Sequence, residues 1–448
     1  MTVLKLHVVV VGAGLGGLAA SIALAKKGHR VDLVESAAIL GEIDADKTLR
    51  IQIPPNSTAV LKILGVYDRL KDSVVWPSGI NMHRYDTGAV LGPAILNPYV
   101  EQQYGSPYWL VHRADYHRAL HEVAVECGVN IHINKRIISV DQNIPSVTSH
   151  DGTVFFGDVI IAADGLKSVI REAIFPNIGT VILESNTSAF RTIIFAESMR
   201  QDPELSSLLD YPAATSWIGP GGHIMGYPIR NGTIYNLVLL HPAGNETAGV
   251  YNASATIDEI LACYIGWDPK VIKLIKLTQP ATKWKVCYLK ELESWQSKSG
   301  KIVLLGDACH ATVPFLAQGA AMAMEDAVTI AECFDRLSAL EDIPHLLKIY
   351  ETVRKPRTTR VVYGSQKMGD VNHLADGPEQ VKRDFAMKAL TTSKVAMQYR
   401  QQPVINQEIP PYELENPNPW SDKVFEPWLF GYDPVSVINR SFKNVNKV

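Results

Sequence analysis

The chain has 448 residues, of which 46% are hydrophobic and 20% charged, a composition that predicts two or three folded domains with a large core. Its formal net charge of −3 excludes the basic surface typical of proteins that bind nucleic acids or acidic membranes. The apolar run at residues 8–25 contains glycines at turn spacing and precedes no cleavage pattern, so neither a membrane span nor a targeting signal is expected. Five scattered cysteines fit no metal-ligand spacing, which indicates reduced thiols, no metal site and a cytoplasmic location.

The first predicted unit is a strand, a glycine turn and a helix. Four valines at positions 8–11 run into Gly12-x-Gly14-x-x-Gly17, and a helical pattern follows. Gly12 permits the tight turn, Gly14 lets the backbone approach a phosphate, and Gly17 allows close packing of the helix on the strand. The next strand ends at Glu35, whose carboxylate can accept hydrogen bonds from a ribose 2′-OH. Together these features predict a dinucleotide site at a helix N-terminus.

The chain then alternates between helical and strand patterns. An amphipathic helix is expected from residue 57, with Asn56 or Ser57 as its N-cap. A second buried strand at 159–163 ends in Asp164. Residues 180–290 are rich in strands and aromatic residues and favour an antiparallel sheet.

These patterns predict an α/β protein in three parts. The parts are a Rossmann-like domain built from the discontinuous segments 1–75, 105–178 and 300–330, a substrate-binding sheet domain from 76–104 and 179–299, and a C-terminal helical region with an irregular tail at 331–448. A pocket is expected where the first two parts meet.

Three motifs stand in an order that resembles one known family. They are the glycine motif with Glu35, the segment 163–171 that begins Ala-Asp-Gly, and the segment 306–327 that begins Gly-Asp-Ala-Cys-His. The three motifs and their order resemble those of the single-component FAD-dependent aromatic monooxygenases, such as para-hydroxybenzoate and salicylate hydroxylases. The tail at 428–433 resembles the fungal salicylate-type members. The resemblance covers the first 330 residues and implies a GR2-type FAD-binding domain with an inserted antiparallel-sheet substrate domain.

The resemblance also implies the cofactors and the residues that hold them. FAD is the expected cofactor, NADPH or NADH the transient co-substrate, and O2 the oxidant. The residues expected to contact FAD are Gly12, Gly14, Gly17, Glu35, Arg113, Asp164, Asp307, Gly319 and Ala320. Asp307 is expected to bond the ribityl hydroxyls, and the helix that begins near Gly319 is expected to stabilise negative charge on the reduced flavin.

Three side chains are candidates for catalysis. Arg191 stands within an apolar strand pattern, where an arginine needs a partner or an anionic ligand, and we expect it to stabilise developing negative charge. Asp46 lies in a charged segment at 42–50 that replaces the glycine pair of salicylate-type enzymes, and it is either a substrate-binding acid or a solvated loop residue. Tyr227 is either a proton donor or a packed aromatic, and Gly226 beside it is expected to enlarge the cavity.

The charged segment at 42–50 resembles the fungal indole monooxygenases of spirooxindole (paraherquamide-type) alkaloid biosynthesis. The first interpretation is therefore epoxidation of an indole C2=C3 bond in a small aromatic substrate, followed by rearrangement to a spirooxindole. The alternatives are a salicylate-type phenol hydroxylase, a flavoprotein that only transfers electrons, and an NAD-dependent redox domain without flavin. The motif around Asp307 disfavours the last two.

Overall fold

The computed structural model describes residues 4–40, 50–210, 212–244, 253–392, 408–414 and 416–445. Within these ranges the strands are β1 (His7–Val11), β2 (Arg30–Val34), β3 (Arg50–Ile53), β4 (Gly79–Arg84), β5 (Val90–Ile95), β6 (Trp109–His112), β7 (Asn130–His132), β8 (Ile137–Asp141), β9 (Ser146–Ser149), β10 (Val154–Phe156), β11 (Val159–Ala162), β12 (Ile182–Phe195), β13 (Ala214–Gly219), β14 (Gly222–Ile229), β15 (Ile234–Pro242), β16 (Ala253–Ala255), β17 (Ala281–Leu289) and β18 (Ile302–Leu304). The α-helices span Leu15–Lys26, Pro55–Leu64, Tyr67–Leu70, Tyr99–Tyr104, Arg113–Glu126, Val169–Ile174, Ala196–Arg200, Pro203–Asp210, Ile257–Cys263, Pro269–Lys276, Asp307–His310, Gly319–Phe334, Ile343–Asn372, Pro378–Thr392, Phe425–Phe430 and Pro434–Val445. Short 3-10 helices span Pro314–Leu316, Leu340–Asp342 and Pro419–Ser421.

A five-stranded parallel sheet with the strand order β18-β11-β1-β2-β7 forms the centre of the first domain. Val8 of β1 lies opposite Val31 of β2 and Val159 of β11. Both faces of β1 are covered, which explains why its sequence is a continuous apolar run instead of an alternating one. The helices Leu15–Lys26 and Gly319–Phe334 pack against each other beside this sheet.

A second sheet has eight strands in the order β16-β17-β12-β15-β14-β13-β4-β5. Its neighbouring strands run antiparallel except for β13 and β4, where Ser216 and Met82 are partners in a parallel pair. The expectation of an antiparallel sheet therefore needs correction at this one pair. The chain between β4 and β13 passes through the first domain, and so long a crossover permits parallel pairing where a hairpin does not.

Two apolar layers cover the eight-stranded sheet. One face, which includes Ala189 and Tyr227, packs against Phe315 from the segment that precedes the helix Gly319–Phe334. The opposite face, which includes Phe190 and Tyr235, packs against its own helices. We call the first the cleft face, because it lies towards the parallel-sheet domain, and the second the outer face.

This architecture confirms the predicted fold class, a Rossmann-like domain with an inserted sheet and helices after it. The predicted boundary at residue 330 lies inside the helix Gly319–Phe334. Among the described residues, no helix combines the length and the apolar character that a membrane crossing requires.

The predicted N-cap at Asn56 or Ser57 is wrong. The helix begins at Pro55 and no side chain caps it. Asn56 is fully buried, and its Nδ2 donates to Oε1 of Gln318 at 2.9 Å and to Oε1 of Glu325 at 2.7 Å. The local pattern favours a cap, but distant acceptors use the amide instead.

Candidate active site

Four of the predicted site residues lie at one edge of the parallel sheet. Gly12 follows β1, Glu35 follows β2, Asp164 lies just after β11, and Asp307 lies just after β18. These strands are parallel neighbours in the order β18-β11-β1-β2, so their carboxyl ends share an edge. Ligands of open α/β sheets bind at this edge.

The three glycines of the first motif have different surroundings. Gly12 has a φ of +100°, and a Cβ there would lie 2.5 Å from the Ala163 oxygen. A Cβ at Gly17 would lie 1.8 Å from the Gly12 oxygen, so no larger residue fits between helix and strand. A Cβ at Gly14 would meet nothing within 4 Å, and Gly14 directly precedes the helix Leu15–Lys26. This open space beside free N–H groups is a cradle that fits a phosphate.

Glu35 is fixed at the mouth of this cradle. Its Oε2 accepts a hydrogen bond from the Ala13 N–H at 2.7 Å, and its Oε1 accepts one from the Ala37 N–H at 2.7 Å. The side chain is half-buried, and its Oε1 also accepts from Ser36 Oγ at 2.9 Å, so Oε2 is the oxygen that has a lone pair left. The carboxylate can therefore hold the glycine loop and still accept from a ribose hydroxyl.

Asp164 is bound within its own loop. Its Oδ1 accepts from Ser168 Oγ at 2.6 Å, and its Oδ2 accepts from the Ile170 N–H at 3.2 Å. Burial raises the pKa of this carboxyl, against the opposing effect of these hydrogen bonds. The neighbouring Arg171 is fully buried and donates to the Leu166 oxygen at 2.8 Å and to the Ala308 oxygen at 3.0 Å. Arg171 therefore joins the second motif to the third.

Asp307 begins the short helix Asp307–His310, and its side chain is exposed to the space beside the sheet edge. Although solvent reaches this side chain, enough protein surrounds it that desolvation raises the pKa of its carboxyl, against the charges of His310 and Arg113. Arg113 is the first residue of the helix Arg113–Glu126. The structure thus brings these two predicted site residues within electrostatic range of each other.

The helix Gly319–Phe334 starts beside the same edge. A short turn at Pro314–Leu316 leads to Ala317, which has a φ of +55°, and to Gln318, the residue before the helix. A Cβ at Gly319 would have only the Thr312 methyl group near it, at 3.7 Å. Gly319 and Ala320 therefore present first-turn N–H groups to open space, where a helix of 16 residues favours negative charge.

A buried network of acids and arginines, which the sequence did not predict, stabilises this helix. Oδ2 of Asp326 accepts from the Gly306 N–H at 3.1 Å and is hydrogen-bonded to Nε2 of His310 at 2.6 Å. Oδ1 of Asp326 accepts from Nε of Arg354 at 2.7 Å. Asp326 thereby fixes the backbone directly before Asp307. His310 belongs to this network through its Nε2.

Glu325 forms the second half of the network. Its Oε2 accepts from Nε of Arg357 at 2.8 Å and its Oε1 accepts from Nη2 at 2.7 Å. Burial alone would raise the pKa of Glu325, but the guanidiniums of Arg357 and Arg354 outweigh it and hold the pKa below its ordinary value. The sequence carries a signal for this network, since arginines 354, 357 and 360 repeat every three residues on one helix.

Cys309 also lies behind the sheet edge. Its side chain is buried, and its Sγ donates to the Gly306 oxygen at 3.4 Å. Burial raises the pKa of this thiol well above its ordinary value, so it stays protonated and is a packing residue. The described residues contain no group of three or more histidine, cysteine or acidic side chains arranged to hold a metal ion.

On the other side of the cleft, Arg191 lies on the cleft face of β12. Its guanidinium carbon is 4.3 Å from the centre of the Trp284 ring on β17. Residues two apart on a strand share a face, and Ala189 belongs to the cleft-face layer. Arg191 therefore faces the parallel-sheet domain and does not lie at a solvent edge of the sheet.

Tyr227 lies on the same face and is 3% exposed. Tyr108 belongs to the same apolar layer and donates to Oε1 of Gln52 at 2.5 Å. The structure brings Tyr227 and Arg191 to one surface, whereas Asp46 lies outside the described residues.

The interpretation of Gly226 is wrong. A Cβ there would lie 2.4 Å from the Tyr235 hydroxyl oxygen, on the outer face of the sheet. Gly226 makes room for this buried tyrosine and not for a substrate.

The comparisons with known proteins agree with this geometry. The family described as FAD binding domain matches residues 5–365. The FAD-dependent monooxygenase OpS4 of Beauveria bassiana (strain ARSEF 2860) is 33% identical over 441 residues, which cover 98% of this chain and 98% of that protein. A 3-hydroxybenzoate 6-hydroxylase of Polaromonas naphthalenivorans (strain CJ2) is 34% identical over 393 residues, which cover 87% of this chain and 93% of that protein.

A solved salicylate hydroxylase substrate complex has the same fold, with a TM-score of 0.76 and 21% identity over 98% of both chains. The resemblance found in the motifs is confirmed at the level of the family. The chain belongs to the FAD-binding-domain family, binds FAD and is a flavin-dependent monooxygenase.

Proposed function

We propose that the protein uses NAD(P)H and O2 to insert one oxygen atom into an electron-rich aromatic ring, and that a phenolic ring is the better-supported substrate. The reaction consumes an aromatic C–H, O2, NAD(P)H and a proton, and yields C–OH, water and NAD(P)+. The observation that carries the proposal is Arg191, whose guanidinium stacks on Trp284 at the cleft face. The similarity to a 3-hydroxybenzoate 6-hydroxylase supports a phenol over an indole.

Bound FAD supplies the reducing equivalents taken from NAD(P)H and, with O2, an electrophilic oxygen. The chain supplies the binding and the electrostatics. The loop at Gly14 and the carboxylate of Glu35 bind the pyrophosphate and the ribose. The N–H groups of Gly319 and Ala320 stabilise negative charge on the reduced ring system.

Arg191 acts on the substrate. A guanidinium beside a phenol stabilises the phenolate, which lowers the pKa of the phenol and makes the ring carbons more nucleophilic. The Trp284 ring holds the guanidinium in place by cation–π contact. Tyr227 is buried on the same face, where its ring would help to keep water from the substrate.

Indole epoxidation is the second candidate. It is favoured by the sequence of the segment 42–50, where Asp44 and Asp46 would repel a substrate carboxylate but could bind an N–H group or an amine. An indole C2=C3 bond needs no deprotonation before it reacts with an electrophilic oxygen. In this case Arg191 would stabilise the oxygen anion of the product.

The test is NADPH oxidation by the purified yellow holoenzyme, with product mass, in the presence of 3-hydroxybenzoate, salicylate or a tryptophan-derived indole alkaloid. A product that is one oxygen heavier, formed only from a phenol, is the expected result. Such a product formed only from the indole would replace the first candidate by the second. FAD-bound enzyme that oxidises NADPH and yields no oxygenated aromatic with any of them would contradict both.

A further inference from the structure

A cavity of about 290 Å³ lies beside the third motif. Most of its lining comes from three segments: the end of β17 with the residues that follow it, the short helix Asp307–His310, and the middle of the long helix Ile343–Asn372. None of the residues expected to contact FAD, and neither Arg191 nor Tyr227, is among the described residues that line it. The cavity is therefore distinct from the predicted flavin site and from the catalytic candidates.

The inner wall of the cavity is apolar and partly aromatic. Leu289, Trp295 and Cys309 line it and are buried, and Tyr288 lines it and is half-buried. The Leu289 N–H donates to the Ala311 oxygen at 2.9 Å, which holds the end of β17 against the segment after the short helix. Apolar walls with aromatic side chains favour a flat apolar ligand, and a cavity of this size suits a small one.

The mouth of the cavity is polar, and contacts within the chain hold it in place. Oε2 of Glu291 accepts from Oγ1 of Thr359 at 2.8 Å, and Oε1 of Glu291 lies 3.5 Å from Nζ of Lys355. Nζ of Lys355 also donates to the Glu293 oxygen at 2.9 Å. These contacts join the segment after β17 to the long helix, so the mouth is formed before a ligand binds.

Lys290 gives this mouth a positive charge that is not compensated. Its side chain lines the cavity, is exposed, and has no ion-pair partner among the described residues. The carboxylate of Glu291 is compensated by Lys355 instead. The two lysines and one carboxylate that line the cavity therefore leave one positive charge, and a ligand of complementary charge carries one anionic group.

We propose that this cavity is a second ligand site and that its ligand is a small aromatic carboxylate. The ring lies against Leu289 and Trp295, and the carboxylate lies at the mouth beside Lys290. Most of the affinity comes from burial of the ring, because an exposed lysine contributes little to binding. The proposal goes beyond the proposed function and does not depend on it, since the catalytic candidates do not line this cavity.

The first test is calorimetric titration of the FAD-loaded protein with 2-naphthoate, an aromatic carboxylate without a hydroxyl. Val362 is half-buried and lines the cavity, so Val362→Trp places an indole in the space for the ring. We expect this variant to raise the Kd by about tenfold or more, and we expect Arg191→Ala, on the cleft face, to leave it unchanged. No binding by the wild-type protein, an unchanged Kd in Val362→Trp, or an equal rise in Arg191→Ala would overturn the proposal.

The second test changes the charge at the mouth without filling the cavity. Because Lys290 is exposed and unpaired, Lys290→Glu should keep the Tm of the holoenzyme. We expect its Kd for 2-naphthoate to rise about three- to tenfold, and its Kd for 2-naphthamide, a neutral molecule of similar shape, to stay the same. Lys382→Glu, at an exposed position of the helix Pro378–Thr392, is the matched control and should change neither Kd.

An equal effect of Lys290→Glu on both naphthalene ligands, or no effect on either, would overturn the placement of a carboxylate at this mouth. Thermal unfolding shows whether Val362→Trp folds, and if it does not, Lys290→Glu decides alone. Neither test requires turnover, so a failure of oxygen insertion would count against the proposed function and not against this site.

Discussion

Nε of Arg354 lies 2.7 Å from Oδ1 of Asp326, and neither side chain is exposed to solvent. Nη1 of the same arginine lies 2.7 Å from Oε2 of Glu325. Removal of one partner from a buried pair leaves a charge without compensation, which typically costs about 3–5 kcal/mol. We expect Arg354→Met to lower the free energy of unfolding by this amount and to weaken FAD retention, because Asp326 also holds the Gly306 N–H.

Denaturant unfolding and the ratio of flavin to protein absorbance measure the two effects of Arg354→Met. Lys71→Met is the control, because Lys71 and Asp68 form an exposed pair at 2.9 Å. Water and salt screen exposed pairs, so this variant should keep both its stability and its flavin. Similar losses in the two variants would contradict the role assigned to the buried network.

The glycines of the first motif allow folding and cofactor binding to be separated. Gly14→Val should fold, because a Cβ there meets nothing within 4 Å, but its side chain would occupy the phosphate cradle. Gly17→Ala should lose about 1–3 kcal/mol or more of stability, since its Cβ would lie 1.8 Å from the Gly12 oxygen. We expect the Kd of FAD to rise at least tenfold in Gly14→Val while the apoprotein Tm is unchanged, as fluorescence titration and thermal unfolding would reveal. Full flavin retention by Gly14→Val would exclude a phosphate at this loop.

Arg191→Ala should separate NADPH oxidation from oxygen insertion. Loss of one group that stabilises developing charge typically lowers a rate about 10²–10³-fold, and the FAD contacts at the other side of the cleft stay intact. We expect formation of the oxygenated product to fall by this factor while flavin content and NADPH oxidation remain. Arg200→Ala, at an exposed helix position, is the control. Unchanged product formation in Arg191→Ala would remove this residue from the mechanism.

A buried histidine pair predicts acid sensitivity. Nδ1 of His223 lies 2.7 Å from Nε2 of His373, and Phe315 packs edge-on against both rings. Burial lowers the pKa of His373 from its ordinary 6.5 to about 4, and lowers the pKa of His223 well below its ordinary value. The unfolded chain therefore binds protons below about pH 6.5 that the folded chain does not, and stability falls as the pH drops from there towards 4.

For His373 the loss is on the order of 2 kcal/mol between pH 6.5 and 4.5, and the lowered pKa of His223 acts in the same direction. Denaturant unfolding over this pH range measures it. His373→Gln should make the dependence on pH shallower, because glutamine does not titrate. An equally steep dependence in that variant would assign the acid sensitivity to other groups.

The sequence alone predicts the features that depend on a few adjacent residues. The left-handed turn at Gly12 and the close packing at Gly17 follow from local backbone geometry, and parallel strand order then brings Glu35, Asp164 and Asp307 to one edge. The features at Gly12 and Gly17 need no knowledge of which distant segments pack together, whereas Asp164 and Asp307 are predictable through the resemblance of their motifs to the family. The α/β class and the inserted sheet are predictable for the same reason.

Tertiary contacts decide the features that the sequence does not predict. Asn56 has the local signature of a helix cap, but Glu325 and Gln318 accept its amide protons in the folded chain. Gly226 is next to a candidate catalytic tyrosine, yet its missing side chain accommodates Tyr235 on the other face.

Arg357 donates from Nη1 to the Trp428 oxygen at 3.1 Å and from Nη2 to the Leu429 oxygen at 2.9 Å. The guanidinium that compensates the charge of Glu325 therefore also binds two backbone oxygens that lie 71 and 72 residues later in the chain. During translation, the ribosome must therefore release residue 429 before these ion pairs acquire their final surroundings. The nascent nucleotide-binding domain should mature late, after most of the polypeptide has been synthesised. Chains arrested before that point would be expected to emerge without the yellow chromophore.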